Sequence, residues 1–193
     1  MDKIKPTLEH WLEELDKFNF PKYEEFPDIE LYMDQVIKYL DVELKVFKTG
    51  ITDKVVTHSM KNNYVKGDVV TAPLQKKYNR EHLALINETC SLKQVLSISE
   101  IKQIIDLEYE NSNAEAFNSF ASKSVQEFHD ASAYAKEIIS EIEDDNDVSK
   151  LTNTALDLAI KANAYITIAK RILLYCKMYK DMKEIKKELN KNE

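Results

Sequence analysis

Eight residues between positions 58 and 80 are of the types that read or clamp a nucleic acid: His58, Ser59, Lys61, Asn62, Lys66, Lys76, Lys77 and Arg80. An asparagine amide can pair with an adenine edge, and Lys or His can donate to guanine. Lys and Arg meet phosphates whatever the base. Asn62, with Lys61 or His58, is therefore the expected base-reading set. Lys76 and Lys77, with Lys54 and Arg80 beside them, are the expected phosphate contacts.

The charge distribution points to the same stretch. Residues 54–80 hold six basic side chains against one acid, Asp68, in a chain of formal net charge −7. Residues 1–50 carry seven Lys against twelve Asp and Glu; residues 106–193 carry twelve Lys and Arg against seventeen. Only the middle of the chain is a candidate polyanion surface. Charge alone fits a solvated face equally well, so the order of elements around it has to decide.

Other chemistry is poorly represented. His10, His58, His82 and His129 share no metal-ligand spacing, and Cys90 and Cys176 are lone residues outside any CxxC. The two glycines are isolated, so no phosphate-cradling loop exists, and no serine sits in a G-x-S-x-G setting. Neither an enzyme, a cofactor nor a metal site is expected. No apolar run approaches the roughly 18 residues that cross a bilayer, and the first segment is amphipathic and acidic rather than a leader. A cytoplasmic protein without membrane contact is expected.

Few Gly and Pro amid abundant Leu, Ile, Ala, Glu and Lys predict a mostly helical chain. Thr7 should cap a first helix with Leu8, Trp11, Leu12, Leu15 and Phe18 on one stripe. Asp28 should cap a second, burying Ile29, Met33, Val36 and Leu40 and ending at Thr49-Gly50. Thr57 should cap a polar helix through Lys66, closed by Gly67, with only Met60 and Tyr64 inward. Val69-Val70 and Lys76-Lys77-Tyr78 suit a two-stranded wing. Asn79 should cap a helix burying Leu83, Ile86 and Cys90, and Ser97-Ile98-Ser99-Glu100 has the form of a capping box. Asn111-Ser112-Asn113 marks the expected domain boundary. Beyond it come a helix over about 114–142, an acidic reversal at 143–147 and a helix over about 149–189. In that last helix Leu158, Tyr165, Ile172 and Tyr179 recur every seven residues beside Ala155, Ala162, Ala169 and Cys176, the seam of a hairpin or bundle.

A polar helix closed by Gly67, a basic hairpin and a supporting helix together make a helix-turn-helix with a wing. Two resemblances sharpen this. Ser59-Met60-Lys61 through Gly67, Pro73 with Lys77 to Leu83, and Leu92 to Ile101 resemble the DNA-binding head of MerR-type regulators. Pro27 to Val36, Met60 to Lys66 and Lys76 to His82 resemble a bacterial domain-of-unknown-function family, number 1836. Asn62 and Asn63 stand where MerR heads carry aromatics, and Gly50 to Thr57 exceeds the usual turn.

The expected fold is therefore all-α with a small β-wing. Residues 1–110 would hold the first helix and a MerR-like winged helix-turn-helix domain. Residues 114–193 would form a helical hairpin for dimerisation or for an unknown small-molecule effector. The expected function is transcription regulation on double-stranded DNA by a homodimer. The alternatives are a protein-interaction adaptor on the same scaffold, or a small-molecule sensor in the helical domain.

Overall fold

The computed structural model describes residues 3–48, 50, 53–109 and 112–189, apart from the side chains of Lys61, Glu184 and Glu188. In chain order the elements are α1 (Ile4–Leu15), β1 (Leu31–Tyr32), α2 (Met33–Glu43), α3 (His58–Lys66), β2 (Lys77–Tyr78), α4 (Arg80–Leu92), α5 (Ile98–Glu108), α6 (Asn113–Ser140) and α7 (Val148–Leu189). The chain is mostly helical with one small sheet, as its composition predicts.

Helix α4 is the hub. Asn79 caps it as expected, its Oδ1 accepting the His82 N–H at 3.1 Å. Elements α2, α3, β2, α5 and α6 all pack on it. Leu83, Ile86 and Cys90 are enclosed as expected, but burial runs unbroken from His82 to Ser91. The helix has no solvent side, so its polar groups must be answered inside. Thr89 Oγ1 donates to the Leu85 carbonyl at 2.6 Å, and Ser91 Oγ to the Asn87 carbonyl at 2.9 Å. Glu88 Oε2 accepts from the Tyr109 hydroxyl at 2.7 Å, while its Oε1 has no partner among the described residues. Burial pushes the Glu88 carboxyl from 4.5 up to about 7, against the opposing pull of that hydrogen bond.

Helix α1 starts one turn before the expected Thr7 cap. Pro6 sits in its first turn, where a missing N–H loses no helical bond. The α6–α7 reversal supplies the cap: Asn146 Oδ1 accepts the Ile4 N–H at 3.2 Å, and the Asp145 carbonyl accepts the Lys5 N–H at 2.9 Å. Leu12, Leu15 and Phe18 are buried, and the Phe18 ring meets Phe128 of α6 edge-on at 5.4 Å. One hydrophobic cluster runs from Leu12 through α2 to α5 and on to Phe117 and Ile139 of α6.

Three expectations are corrected. Helix α2 begins at Met33, not after Asp28, and Ile29 is exposed. Leu31 and Tyr32 are drawn into extended pairing, which excludes helical backbone. The helix also stops at Glu43, before a 3-10 turn at Lys45–Phe47; the expected end at Thr49 lies outside the described residues. Val69 and Val70 form no strand. They are buried, and their N–H groups donate to the Tyr64 carbonyl, closing α3. Strand β2 pairs instead with β1, antiparallel, with Leu31 opposite Tyr78 and Tyr32 opposite Lys77. Gln75 and Lys76, with φ of 51° and 64°, turn the chain tightly between Leu74 and Lys77.

The third correction concerns the helical seam. Tyr165, Ile172 and Tyr179 are exposed rather than packed on α6. Helix α7 runs about 63 Å against about 42 Å for α6. It leaves α6 after its first turns and continues to α5, where Leu173 and Cys176 face Ile104 and Leu107 across a shallow groove. Of the expected boundary residues, Asn111 lies outside the described residues. Ser112 caps α6, its Oγ accepting the Glu115 N–H at 3.3 Å.

Glu88 links this packing to pH. Its folded pKa is raised, so its contribution to stability is full below 4.5 and lost as pH rises through about 7. The unfolding free energy from urea titrations should therefore fall between mildly acidic and mildly alkaline pH, by on the order of a few kcal/mol from this group. Glu88→Gln should flatten that fall and stabilise the protein at the alkaline end. An unchanged pH dependence in Glu88→Gln would remove the group from the ledger.

Candidate nucleic-acid interface

Helix α3 is short and polar, and a helix of this kind holds its shape only through its neighbours. Thr57 caps it as expected, its Oγ1 accepting the Met60 N–H at 3.4 Å. Tyr64 is its buried anchor. The hydroxyl lies 3.5 Å from Cys90 Sγ on α4, and burial pushes its pKa up. At the far end of α4, Lys93 Nζ donates to the Val55 carbonyl at 2.6 Å and lies 3.0 Å from Met60 Sδ. Burial holds that ammonium below its usual pKa.

Gly67 closes the helix for a reason the sequence does not display. Its φ is −81°, open to any residue, and Asp68 takes the positive angle of 56° that follows. The constraint is space: a Cβ at Gly67 would lie 2.4 Å from Ile98 Cγ2, at the start of α5. The Ser97 capping box forms as expected, with the Ser97 N–H donating to Glu100 Oε2 at 2.7 Å. It fixes the helix end that presses on Gly67.

The eight candidate residues divide into two groups. Ser59, Asn62 and Lys66 are exposed at spacings of three and four, one stripe along α3. His58 is exposed too, with Nε2 3.0 Å from an Asp34 carboxylate oxygen on α2. Lys61 belongs to the same helix, and its side chain lies outside the described residues. Lys76 is exposed at the tip of the tight turn, with no ion-pair partner among the described residues. Lys77 and Arg80 are half-buried and engaged. Lys77 Nζ lies 3.6 Å from Glu30; Arg80 Nη2 lies 3.3 Å from Asp28, and its Nε donates to the Phe26 carbonyl at 3.2 Å.

Asp28, expected only as a helix cap, and Glu30 and Asp34 are the acids that sequence reasoning does not place at this site. The β1–β2 pairing carries this acidic stretch onto the basic block and neutralises part of it. The available signal was Leu31-Tyr32, two strand-prone residues set among three acids and free to pair with Lys77-Tyr78. On the far side of α3, Lys66, Lys102 of α5 and Lys177 of α7 line an open cavity of about 540 Å³. Lys102 is held there by Asp106 at 2.9 Å and Asp68 at 3.2 Å, which raise its pKa.

Among the described residues no group of three or more His, Cys, Asp or Glu could hold a metal ion. Among the described residues, too, no helix is long and apolar enough to cross a membrane. A protein-family model, described as "Domain of unknown function (DUF1836)", matches residues 21–132, more than half of the chain. No curated protein and no solved structure matches.

The Gly67–Ile98 approach can be tested directly. Gly67→Ala should destabilise the protein by roughly 1–3 kcal/mol through overpacking. Ile98→Leu, which removes the offending branch methyl, should restore part of that loss in the double variant. Additive effects in a denaturant double-mutant cycle would show that the two positions do not touch.

Proposed function

The chain belongs to the DUF1836 family, and on that premise we propose that it is a transcriptional regulator that binds double-stranded DNA as a homodimer. In this reading α2 and α3 are the helix pair of a winged helix-turn-helix head. The Leu74–Lys77 turn of the β1–β2 sheet is its wing, and α4 and α5 support both. The order of parts resembles a MerR-type head.

The observation that carries the reading is the exposed stripe Ser59, Asn62, Lys66 on a helix fixed from behind by Tyr64 and Gly67. Nine residues span about 14 Å, and the major groove is about 12 Å wide. Asn62 would meet an adenine edge, and Lys66 a phosphate or a guanine. Lys76 is the phosphate contact best placed to act, because Lys77 and Arg80 are already engaged by Glu30 and Asp28. His58 carries Asp34 as a competitor for any base contact.

Dimerisation is assigned to α7. Thirteen of the twenty-one exposed large apolar side chains among the described residues lie on this one helix. A two-fold pair of heads would read half-sites about one DNA turn apart. The same apolar surface favours one alternative, an adaptor that uses the winged scaffold to hold a protein partner. Titration against genomic fragments, including the protein's own upstream region, separates the two: absence of affinity at low salt, together with a protein recovered by pull-down, favours the adaptor.

Two variants test the assignments. Lys76→Glu should weaken binding to every sequence and reduce the slope of log affinity against log salt by about 0.9 or more. An unchanged slope takes the turn off the DNA backbone. On α7, Ile168→Glu with Tyr175→Glu touches no core contact, since both residues are exposed. The pair should halve the mass seen in sedimentation and weaken binding to a two-half-site fragment. A dimer of undiminished stability would move the interface elsewhere.

A further inference from the structure

Residues 106–193 are acidic on average, but the average hides two opposite parts. Residues 106–147 carry twelve Asp and Glu against two Lys. Helix α7 carries nine Lys and Arg against four acids. Along α7, Lys170 and Lys177 stand seven residues apart and so share one side, that of Leu173, which faces α5 across the shallow groove. Lys177 lines the open cavity of about 540 Å³ that Lys66 lines from α3 and Lys102 from α5. Lys170 lies beside the start of α5: the Glu100 carboxyl is held below its usual pKa by its Ser97 hydrogen bonds first, and by this ammonium in smaller part. A second basic segment, distant in sequence, is thereby carried to the end of α3.

The acids around this cavity are already answered. Lys102 Nζ gives its three donors to the Asp68 carbonyl at 3.1 Å, Asp68 Oδ2 at 3.2 Å and Asp106 Oδ1 at 2.9 Å. Glu100 Oε2 accepts the Ser97 N–H at 2.7 Å. Lys66, Lys170 and Lys177 are exposed and have no ion-pair partner among the described residues. Positive charge is therefore in excess around the open cavity and its rim. We infer that α7 is a DNA contact: Lys170 and Lys177, with Lys66, grip the phosphates of one strand alongside α3, while Lys102 holds the local carboxylates out of their way. The inference rests on the DNA reading and adds a second element to it. Lys66 belongs to the exposed stripe of α3, so a duplex that meets Ser59 and Asn62 also passes this cavity. Lysines are solvated point charges on flexible stems, and such groups meet phosphates of any sequence. A small-molecule site would need polar groups converging in an enclosed pocket, and here the free charges are all exposed.

The test measures binding of the full chain to a genomic DNA fragment over a range of salt concentrations. Lys177→Glu should weaken binding to every sequence alike and reduce the slope of log affinity against log salt by about 0.9. Adding Lys170→Glu should lower the slope further. Lys123→Glu on α6, the same change in net charge away from this face, should keep the parent's slope. Sedimentation of the double variant should give the parent's mass, because both lysines lie across the helix from Tyr175 and Met182. The neutral pair Lys170→Gln with Lys177→Gln should also flatten the slope, and it keeps the test decisive if charge reversal disturbs assembly. Inorganic tripolyphosphate, titrated calorimetrically without DNA, should show no saturable uptake; uptake that Lys177→Glu abolishes overturns the DNA strand as occupant in favour of a free anion. Unchanged slopes in both lysine pairs, or an equal loss in Lys123→Glu, overturn this inference and leave the DNA reading standing. A parent without DNA affinity at low salt overturns both.

Discussion

A helix with no solvent side sets the terms for everything around it. From His82 to Ser91 α4 is enclosed, and both of its ends reach out to clamp the chain that flanks α3. At the N-terminal end Asn79 accepts the His82 N–H, and His82 Nε2 meets Thr71 Oγ1 at 3.2 Å, just after the buried Val69-Val70. Burial lowers the His82 pKa, which suits a neutral imidazole with one donor and one acceptor nitrogen. At the C-terminal end Lys93 holds the Val55 carbonyl, just before α3. The polar helix is strung between two points on one buried rod. A nine-residue helix with two inward side chains could not fix its own orientation; α4 fixes it from both sides.

Electrostatics acts inside that frame as a sorting device. The basic block looks uniform along the sequence, yet the fold gives its members different circumstances. Arg80 is half-buried and shares its guanidinium between Asp28 and a backbone carbonyl, so its role is to hold the β1 approach in place. The Lys77–Glu30 pair is longer and both its side chains are partly exposed, and such pairs contribute little to stability. Its effect is to lower the charge that the sheet presents. Lys76 sits at a positive φ in the turn, an angle imposed by a two-residue reversal that no glycine relieves. Local backbone strain is thus accepted at the residue whose ammonium remains outward.

The sequence made some of this legible and hid the rest for physical reasons. Caps written in adjacent residues were readable: Thr57, Asn79 and the Ser97–Glu100 box each perform the local bond their chemistry predicts. Periodicity found the anchors Tyr64, Leu83 and Ile86. Periodicity could not find the burial of Asn87 and Glu88, because polar residues on a helix face read as solvent until tertiary packing covers them. The strand partner of Lys77-Tyr78 was missed because Val69-Val70 lies nearer along the chain and is more strand-prone than Leu31-Tyr32. The α1 cap was missed because it comes from Asp145 and Asn146, more than a hundred residues away. Of the candidate site, residue types were visible and their neighbours were not. Nothing local announces that Arg80 and Lys77 have acids waiting on another strand.

Helix α7 shows the same limit from the opposite direction. Its seven-residue repeat was visible and suggested a seam, but a repeat does not say which chain supplies the other side. Within one copy α6 is too short, and its inner face is already taken by α1, α4 and the aromatic cluster around Phe18 and Phe128. The exposed apolar residues Leu156, Ile160, Tyr165, Ile168 and Met178 lie within about one half of the α7 circumference. A helix of this length draws little stability from propensity alone, and apolar surface left in water forgoes about 25 cal/mol per Å². In the proposed dimer, burial against a second α7 would remove that deficit and tie helix formation to assembly. The stability of the C-terminal region would then depend on protein concentration, and the enclosed α4 core would not.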